Sequence, residues 1–497
     1  MNKKAEYSVK SIKYNFIMNV ILKISMFVFP LITFPYVSRV LGPAGNGKIS
    51  LATSIISYAT MFASLGIPTY GIRACAQCRD DKDKLSKTVQ ELLIICVIGM
   101  LVSYIILIGL IFTIPKFNQE KKLIFFMSSS LVLSSIGIEW FYQGIEQYRY
   151  ITIRNIGFKI LAVILMFFLI HNSSDYILYG GITVIGTVGS NILNIIKSKD
   201  YISYKKLNKY EFKKHLRPSF NFFLLTVAST IYSNLDTVML GLMTNDSEVG
   251  FYNAGVKVRS MLLGFVNALS TVLLPRVSYY IRNKMYDEFN RIVNTSMNTV
   301  FFLSIPLTAF FIVESKETIM LLAGEQYYQA VIPMIIIIPT LIVAGLNNLT
   351  GIQILGSMGL EKYTVISTSS AAVLDLVLNA IVIPKFGASG AAFSTLLAEI
   401  LALIIQLYCI NKFSEKEIKI KFDFVNLIKI IVSTLAGSFA AFIIKIIMAV
   451  DSDMFSFICG FVVFSFMFVL CLILTREKIA FEYGFPTIKK LIKKIVK

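Results

Sequence analysis

Charge is what this sequence has least of. Asp, Glu, Lys and Arg make up 15% of its 497 residues, against 56% hydrophobic residues and a mean hydropathy of +0.71. A soluble domain carries about a quarter charged residues, so a water-soluble globular protein is excluded. Histidine is scarce as well: His171 and His215 are the two, and both fall in stretches that read as loops. There is no HExxH pair and no Walker loop, so metal-assisted and nucleotide hydrolysis lack their usual residues. The six cysteines lie mostly inside apolar runs, where they act as small hydrophobes. Cys75-Ala-Gln-Cys78 is a lone CxxC with no second pair, too little for a zinc or redox centre. The chain reads as neither an enzyme nor a metalloprotein.

Apolar segments fill the sequence instead. Windows of roughly 20 apolar residues, enough to cross a bilayer core, recur from end to end. Backbone groups in hydrocarbon must be satisfied within each segment, so these are helices. The expectation is an all-α integral membrane protein of about fourteen spans. Met1–Tyr14 is basic, and the apolar stretch after it runs to Leu41, too long for a cleavable signal. The net charge of +19 could suggest nucleic acid, but its distribution argues otherwise. Lys197, Lys199, Lys205, Lys206, Lys209, Lys213, Lys214 and Arg217 crowd one loop, while Asp246, Glu248, Asp451 and Asp453 mark loops without bases. By the positive-inside rule this orients both termini to the cytoplasm. The tail Pro486–Lys497 alternates Ile and Leu with lysines as an interfacial amphipathic helix would.

Ionisable groups at bilayer depth cost at least about 2.5–3.5 kcal/mol each and mark cavities by default. Lys23 shares a four-residue stripe with Asn15 and Asn19 in the first span, and Arg39 lies near that span's outer end. In the eighth span Asn253, Lys257, Ser260, Gly264, Asn267 and Thr271 follow one face, with Arg259 on another. These point to an anion-accepting cavity in which Lys23, Lys257, Arg39, Asn19, Asn253 and Arg259 meet the substrate. Asp236, Asp375 and Glu399 read as coupling or gating acids, Asp375 standing with Asn379 and Glu399 with Thr395 and Gln406. Asp236 and Lys257 lie at matching depths and could form either a structural ion pair or a switch.

Two stretches recur. Leu41-Gly42-Pro43 with Gly47 corresponds to Leu240-Gly241 with Gly250, and Gly144-Ile-Glu-Gln-Tyr148 to Gly359-Leu-Glu-Lys-Tyr363. Matched pairs in register indicate a duplicated unit of six spans. Together with Val249-Gly-Phe-Tyr-Asn-Ala254 and Phe386-Gly-Ala-Ser-Gly390, they make the chain resemble the Wzx-type polysaccharide-transport family of the multidrug/oligosaccharidyl-lipid/polysaccharide (MOP) flippase superfamily. The resemblance implies two MATE-like six-helix lobes, residues 1–200 and 201–414, with two further helices and the basic tail in 415–497. It also implies a monomer that flips a polyprenyl-pyrophosphate-linked oligosaccharide from the inner to the outer leaflet of the bacterial cytoplasmic membrane by alternating access. Its partners would be that lipid-linked oligosaccharide, membrane lipids, and polysaccharide polymerase and assembly proteins, with no nucleic acid. No cofactor is expected beyond a coupling Na+ or H+. A cation-coupled multidrug exporter and a lipid II flippase are the rival readings.

Overall fold

The computed structural model describes residues 11–205, 209–414, 417–418, 420, 422–448 and 452–481, and they are helices joined by short turns. The expected tail helix and the Thr271 side chain lie outside what is described. The chain divides into two compact units, Met1–Gly250 and Phe251–Lys497.

Unit 1 is built from α1 (Ile12–Ser64), α2 (Ile67–Cys78), α3 (Lys82–Thr113), the short α4 (Pro115–Gln119), α5 (Lys121–Ile136), α6 (Glu139–Gly144), α7 (Tyr148–Leu169), α8 (Tyr176–Val184), α9 (Asn191–Ser198) and α10 (Lys213–Met243). A π-helical turn, Ile185–Gly189, joins α8 to α9. Helix α11 (Asp246–Arg282) leads into unit 2, which continues with α12 (Tyr286–Val313), α13 (Ser315–Ala323), α14 (Val331–Ile337), α15 (Thr340–Asn348), α16 (Glu361–Phe413), α17 (Phe424–Met448) and α18 (Asp453–Thr475). Large apolar side chains such as Ile105, Phe168, Ile447 and Leu474 face outward, as a lipid solvent requires.

Among the described residues ten helices are long and apolar enough to cross a membrane, or eleven if the pair Glu325–Ile337 and Thr340–Leu355, bent by 48°, is one span. This departs from the fourteen expected, and two folded-back helices explain part of the difference. Lys13–Cys78 counts as one run of 66 residues. Straight, it would measure about 100 Å, three times a bilayer core. Yet Asn15 Nδ2 and Arg79 Nη1, at its two ends, both donate to the Glu146 carboxylate, at 3.4 and 2.7 Å. The run therefore doubles back, and it does so at Gly42, whose φ of 67° suits a residue without Cβ. Helix α16 repeats the device at Gly387 (φ 52°). The rings of Tyr363 and Phe413, near its two ends, stack with centroids 4.4 Å apart.

The boundary between the two units falls at Gly250, so α10 belongs to unit 1. That helix packs along the second leg of α1. Tyr58 Oη donates to the Ile231 carbonyl at 3.5 Å, Ser219 Oγ to that of Leu65 at 2.9 Å, and Gly241 lies against Leu51. The duplicated glycines meet at the end of this packing. A Cβ on Gly47 would sit 2.7 Å from the Asp246 carbonyl carbon, and one on Gly250 equally close to that of Pro43. Lys116 pairs with Asp246 at 2.7 Å and Lys48 with Glu120 at 2.6 Å beside the crossing. In unit 2, α17 and α18 dock on α12 through Phe310, Ala441 and Phe464. They lie within unit 2.

Candidate functional site: a hydroxyl-lined cavity

Unit 1 walls an open cavity of about 540 Å3. Its wall is periodic in serine and threonine. Thr53, Ser57, Thr60 and Ser64 come from the second leg of α1, Ser130 and Ser134 from α5, and Thr183 and Thr187 from α8 and the π-helical turn. Thr226, Ser229, Thr230, Ser233 and Asn234 come from α10. Spacings of three, four and seven keep each set on one helical face. Trp140, Met61, Met127 and Cys96 supply apolar lining. No described lining residue is an Asp, Glu, Lys, Arg or His.

Most of these groups spend their proton on their own helix. Thr53 Oγ1 donates to the Ile49 carbonyl at 2.7 Å, Ser57 Oγ to Thr53 at 2.8 Å, and Ser130 Oγ to Met127 at 2.8 Å. Thr183, Thr187, Thr226 and Ser233 bond to Tyr179, Thr183, Phe222 and Ser229 at 2.7–2.9 Å, and Asn234 Nδ2 to Thr230 at 3.0 Å. Back-bonding lets a hydroxyl sit in a membrane helix at little cost. It leaves the oxygen lone pairs as the free hydrogen-bonding capacity. Among the described residues the cavity wall is uncharged and offers more acceptors than free donors.

The residues singled out in the sequence lie elsewhere. Lys23 and Arg39 are exposed on the first leg of α1, Arg39 donating to the Pro35 carbonyl at 2.8 Å. Asn19 and Asn15 line a separate hollow of about 440 Å3 with Gln143, Glu146 and Tyr148. Asp236 is buried on α10, in unit 1. In unit 2, Arg259 Nη2 and Glu399 Oε1 form a salt bridge of 2.7 Å. Asn347 Nδ2 donates to Glu399 Oε2 at 2.7 Å and to its carbonyl at 3.0 Å. One turn before Glu399 on α16, Tyr252 meets Thr395 at 3.1 Å, and two turns after it Gln406 contacts Thr350 and donates to Ser367 at 3.1 Å. Asp375 and Asn379 are fully buried on the first leg of α16, and Asn253 and Lys257 half-buried on α11. So Arg259 and Glu399 come together as part of a polar seam joining α11, α15 and α16.

Two buried clusters escaped the sequence reading. His215 is no loop residue. It lies in the first turn of α10, 3% exposed, with Nδ1 2.9 Å from Tyr70 Oη and Nε2 2.8 Å from Glu91. Glu91, fully buried, also accepts from the Glu211 amide at 2.7 Å and pairs with Lys214 at 3.1 Å. In unit 2, Glu314 follows the last residue of α12, fully buried against Gly460 of α18. Burial pushes its carboxyl up to about 7, against the pull of Lys445. Lys445 is itself committed to Glu317, at 2.5 Å. Cys75 and Cys78 are free thiols, and no group of three or more potential metal ligands occurs among the described residues.

This helical scaffold has close counterparts. A sequence profile described as "polysaccharide biosynthesis protein" matches residues 12–281, more than half of the chain. The chain belongs to that family. The MatE profile matches residues 223–381 as well, placing the family's kinship in the MOP superfamily. Among individual proteins, the chain is 24% identical to a candidate O-antigen transporter of Escherichia coli K12, over 80% of this chain and 96% of that one. It is 27% identical to Agl15 of Haloferax volcanii, assigned as a low-salt glycan biosynthesis flippase, over 48% of this chain and 50% of that one. Its fold resembles the lipid II flippase MurJ, with a TM-score of 0.74 at 16% identity, over 93% of this chain and all of that one. A multidrug resistance MATE transporter matches less fully, with a TM-score of 0.61 at 12% identity over 78% of this chain. The chain is a multi-pass membrane protein of the MOP fold, in a family of transporters rather than enzymes.

Proposed function

We propose that the chain is a flippase for a polyprenyl-pyrophosphate-linked glycan, working between the leaflets of a bacterial cytoplasmic membrane with both termini inside. The uncharged hydroxyl-lined cavity of unit 1 carries this reading. A glycan head loses its water on entering hydrocarbon, at several kcal/mol per unpaired polar group. A wall of oxygen acceptors replaces that water without gripping the head so firmly that release stalls.

The cargo has two versions. O-antigen or capsule repeat units, the cargo expected from sequence, are supported by the E. coli relative. The fold favours lipid II, because the likeness to MurJ extends over 93% of the chain. A multidrug exporter is supported less, since the MATE likeness is shorter and lower in score. Lys23, Arg39, Asn19, Asn253 and Lys257 remain our candidates for meeting the pyrophosphate, and Asp236 and Asp375 for coupling. Arg259 and Glu399, already joined to each other, act as a positioning pair between helices.

Deletion of the gene in its host, followed by analysis of prenyl-linked intermediates, tests the reading. A glycan-lipid accumulating on the inner face supports it and identifies the cargo. Unchanged surface glycan with no accumulating intermediate refutes it.

A further inference from the structure

We propose that the unit 1 cavity selects an uncharged glycan head: the sugars seated in it offer hydroxyl or amide N–H donors and carry no carboxylate. This rests on the flippase reading and specifies its substrate. Most hydroxyl donors of the wall are already spent, those of Thr60, Ser134, Ser229 and Thr230 excepted. Thr53, Ser57, Thr183, Thr187, Thr226 and Ser233 each give their hydroxyl proton to a carbonyl of their own helix. What they present to the cavity is lone pairs. A neutral sugar meets such a surface with its hydroxyl protons and exchanges water bonds for protein bonds.

A uronic acid would bring a carboxylate, itself only an acceptor, against a wall made mostly of acceptors. No described lining residue supplies a counter-charge, and a buried charge without a partner is strongly disfavoured. The same reasoning keeps the pyrophosphate out of this cavity. It needs cations, and those of unit 1's first helix, Lys23 and Arg39, are exposed outside the lining. Trp140 and Met127 complete the fit, since sugar rings have apolar C–H faces that pack on aromatic and thioether groups.

Trp140 is the single tryptophan of the chain and lines the cavity, so it reports on occupancy directly. The full-length protein in lipid nanodiscs is titrated with three probes while Trp140 fluorescence is followed. They are polyprenyl pyrophosphate alone, the same carrier bearing N-acetylglucosamine, and the carrier bearing glucuronic acid. The N-acetylglucosamine probe should bind about tenfold tighter than the glucuronic acid probe, and Ser57→Lys or Thr230→Lys should narrow or invert that ratio. Equal affinity of the two sugars overturns the inference, as does an unchanged ratio in well-folded lysine variants. If the bare carrier binds as tightly as the N-acetylglucosamine probe and Trp140 does not respond, the head is not read in this cavity and the flippase reading survives alone. If none of the three binds, the flippase reading fails and the inference falls with it.

Discussion

Replacing Gly250 by alanine tests the crossing of the duplicated motifs. The new Cβ would lie 2.7 Å from the Pro43 carbonyl carbon and closer still to its oxygen, where ordinary contact begins near 3.4 Å. The two backbones must separate by at least 0.7 Å, and no side chain can swing away to make room. Overpacking of this kind costs about 1–3 kcal/mol. Better helix propensity returns about 0.5–1 kcal/mol, leaving a net loss of roughly 1–2 kcal/mol, since a rigid neighbour puts the cost in the upper range. For a unit of this size that corresponds to a fall in melting temperature of about 2–8 °C. Thermal unfolding of the purified protein in detergent, followed through Trp140, measures it. Gly47→Ala, which meets the Asp246 carbonyl in the same way, should behave alike. Gly109→Ala is the control, because a Cβ there meets nothing within 4 Å. If Gly250→Ala melts at or above the wild type while Gly109→Ala behaves as a neutral or stabilising change, the tight crossing is not real.

Glu399→Ala should destabilise by about 3–5 kcal/mol in chemical denaturation, because it strands the largely buried Arg259. The double variant Arg259→Met with Glu399→Leu should recover most of the loss, and no recovery would refute the pairing. Glu314 holds its proton in the folded protein at pH values where an ordinary carboxyl of 4.5 has lost it. That contribution is complete below about 4.5 and disappears as pH rises through about 7. Melting temperature should therefore fall between pH 5 and 8 in the wild type and flatten in Glu314→Gln, and identical profiles would contradict the assignment. His215→Phe removes the link between Tyr70 and Glu91 and should hasten trypsin cleavage within the lysine-rich stretch 199–214 several-fold. Unaltered cleavage would mean that the cluster does not hold that stretch.

Hydropathy made the membrane class readable because lipid imposes one rule on every span, and the glycine motifs marked where chain segments turn. The number of crossings was less readable. Residues 13–78 and 361–413 stay helical almost through their reversals, so each counts as one run although it holds two legs. The site was legible in part. Searching for buried charge found Arg259 and Glu399, though their pairing spans 140 residues and leaves no local trace. It overlooked the cavity, whose only signature is serine and threonine at intervals of three to four in four helices. Such residues satisfy themselves on their own helix, and so they look inert one helix at a time. His215 was misjudged because a polar residue amid lysines reads as exposed, whereas Tyr70 and Glu91, both far away in sequence, make burial tolerable.

The two folded-back helices also differ in when a growing chain can finish them. Tyr363 and Phe413 belong to one hairpin, so α16 can clasp itself as soon as its own second leg has been made. The first hairpin has a clasp that is completed later. Asn15 and Arg79 are both fastened by Glu146, a residue synthesised only after α3, α5 and α6. At about 5–20 residues per second, several seconds pass before Glu146 can join those ends. Any factor that escorts this protein into the bilayer would have its work concentrated in that interval.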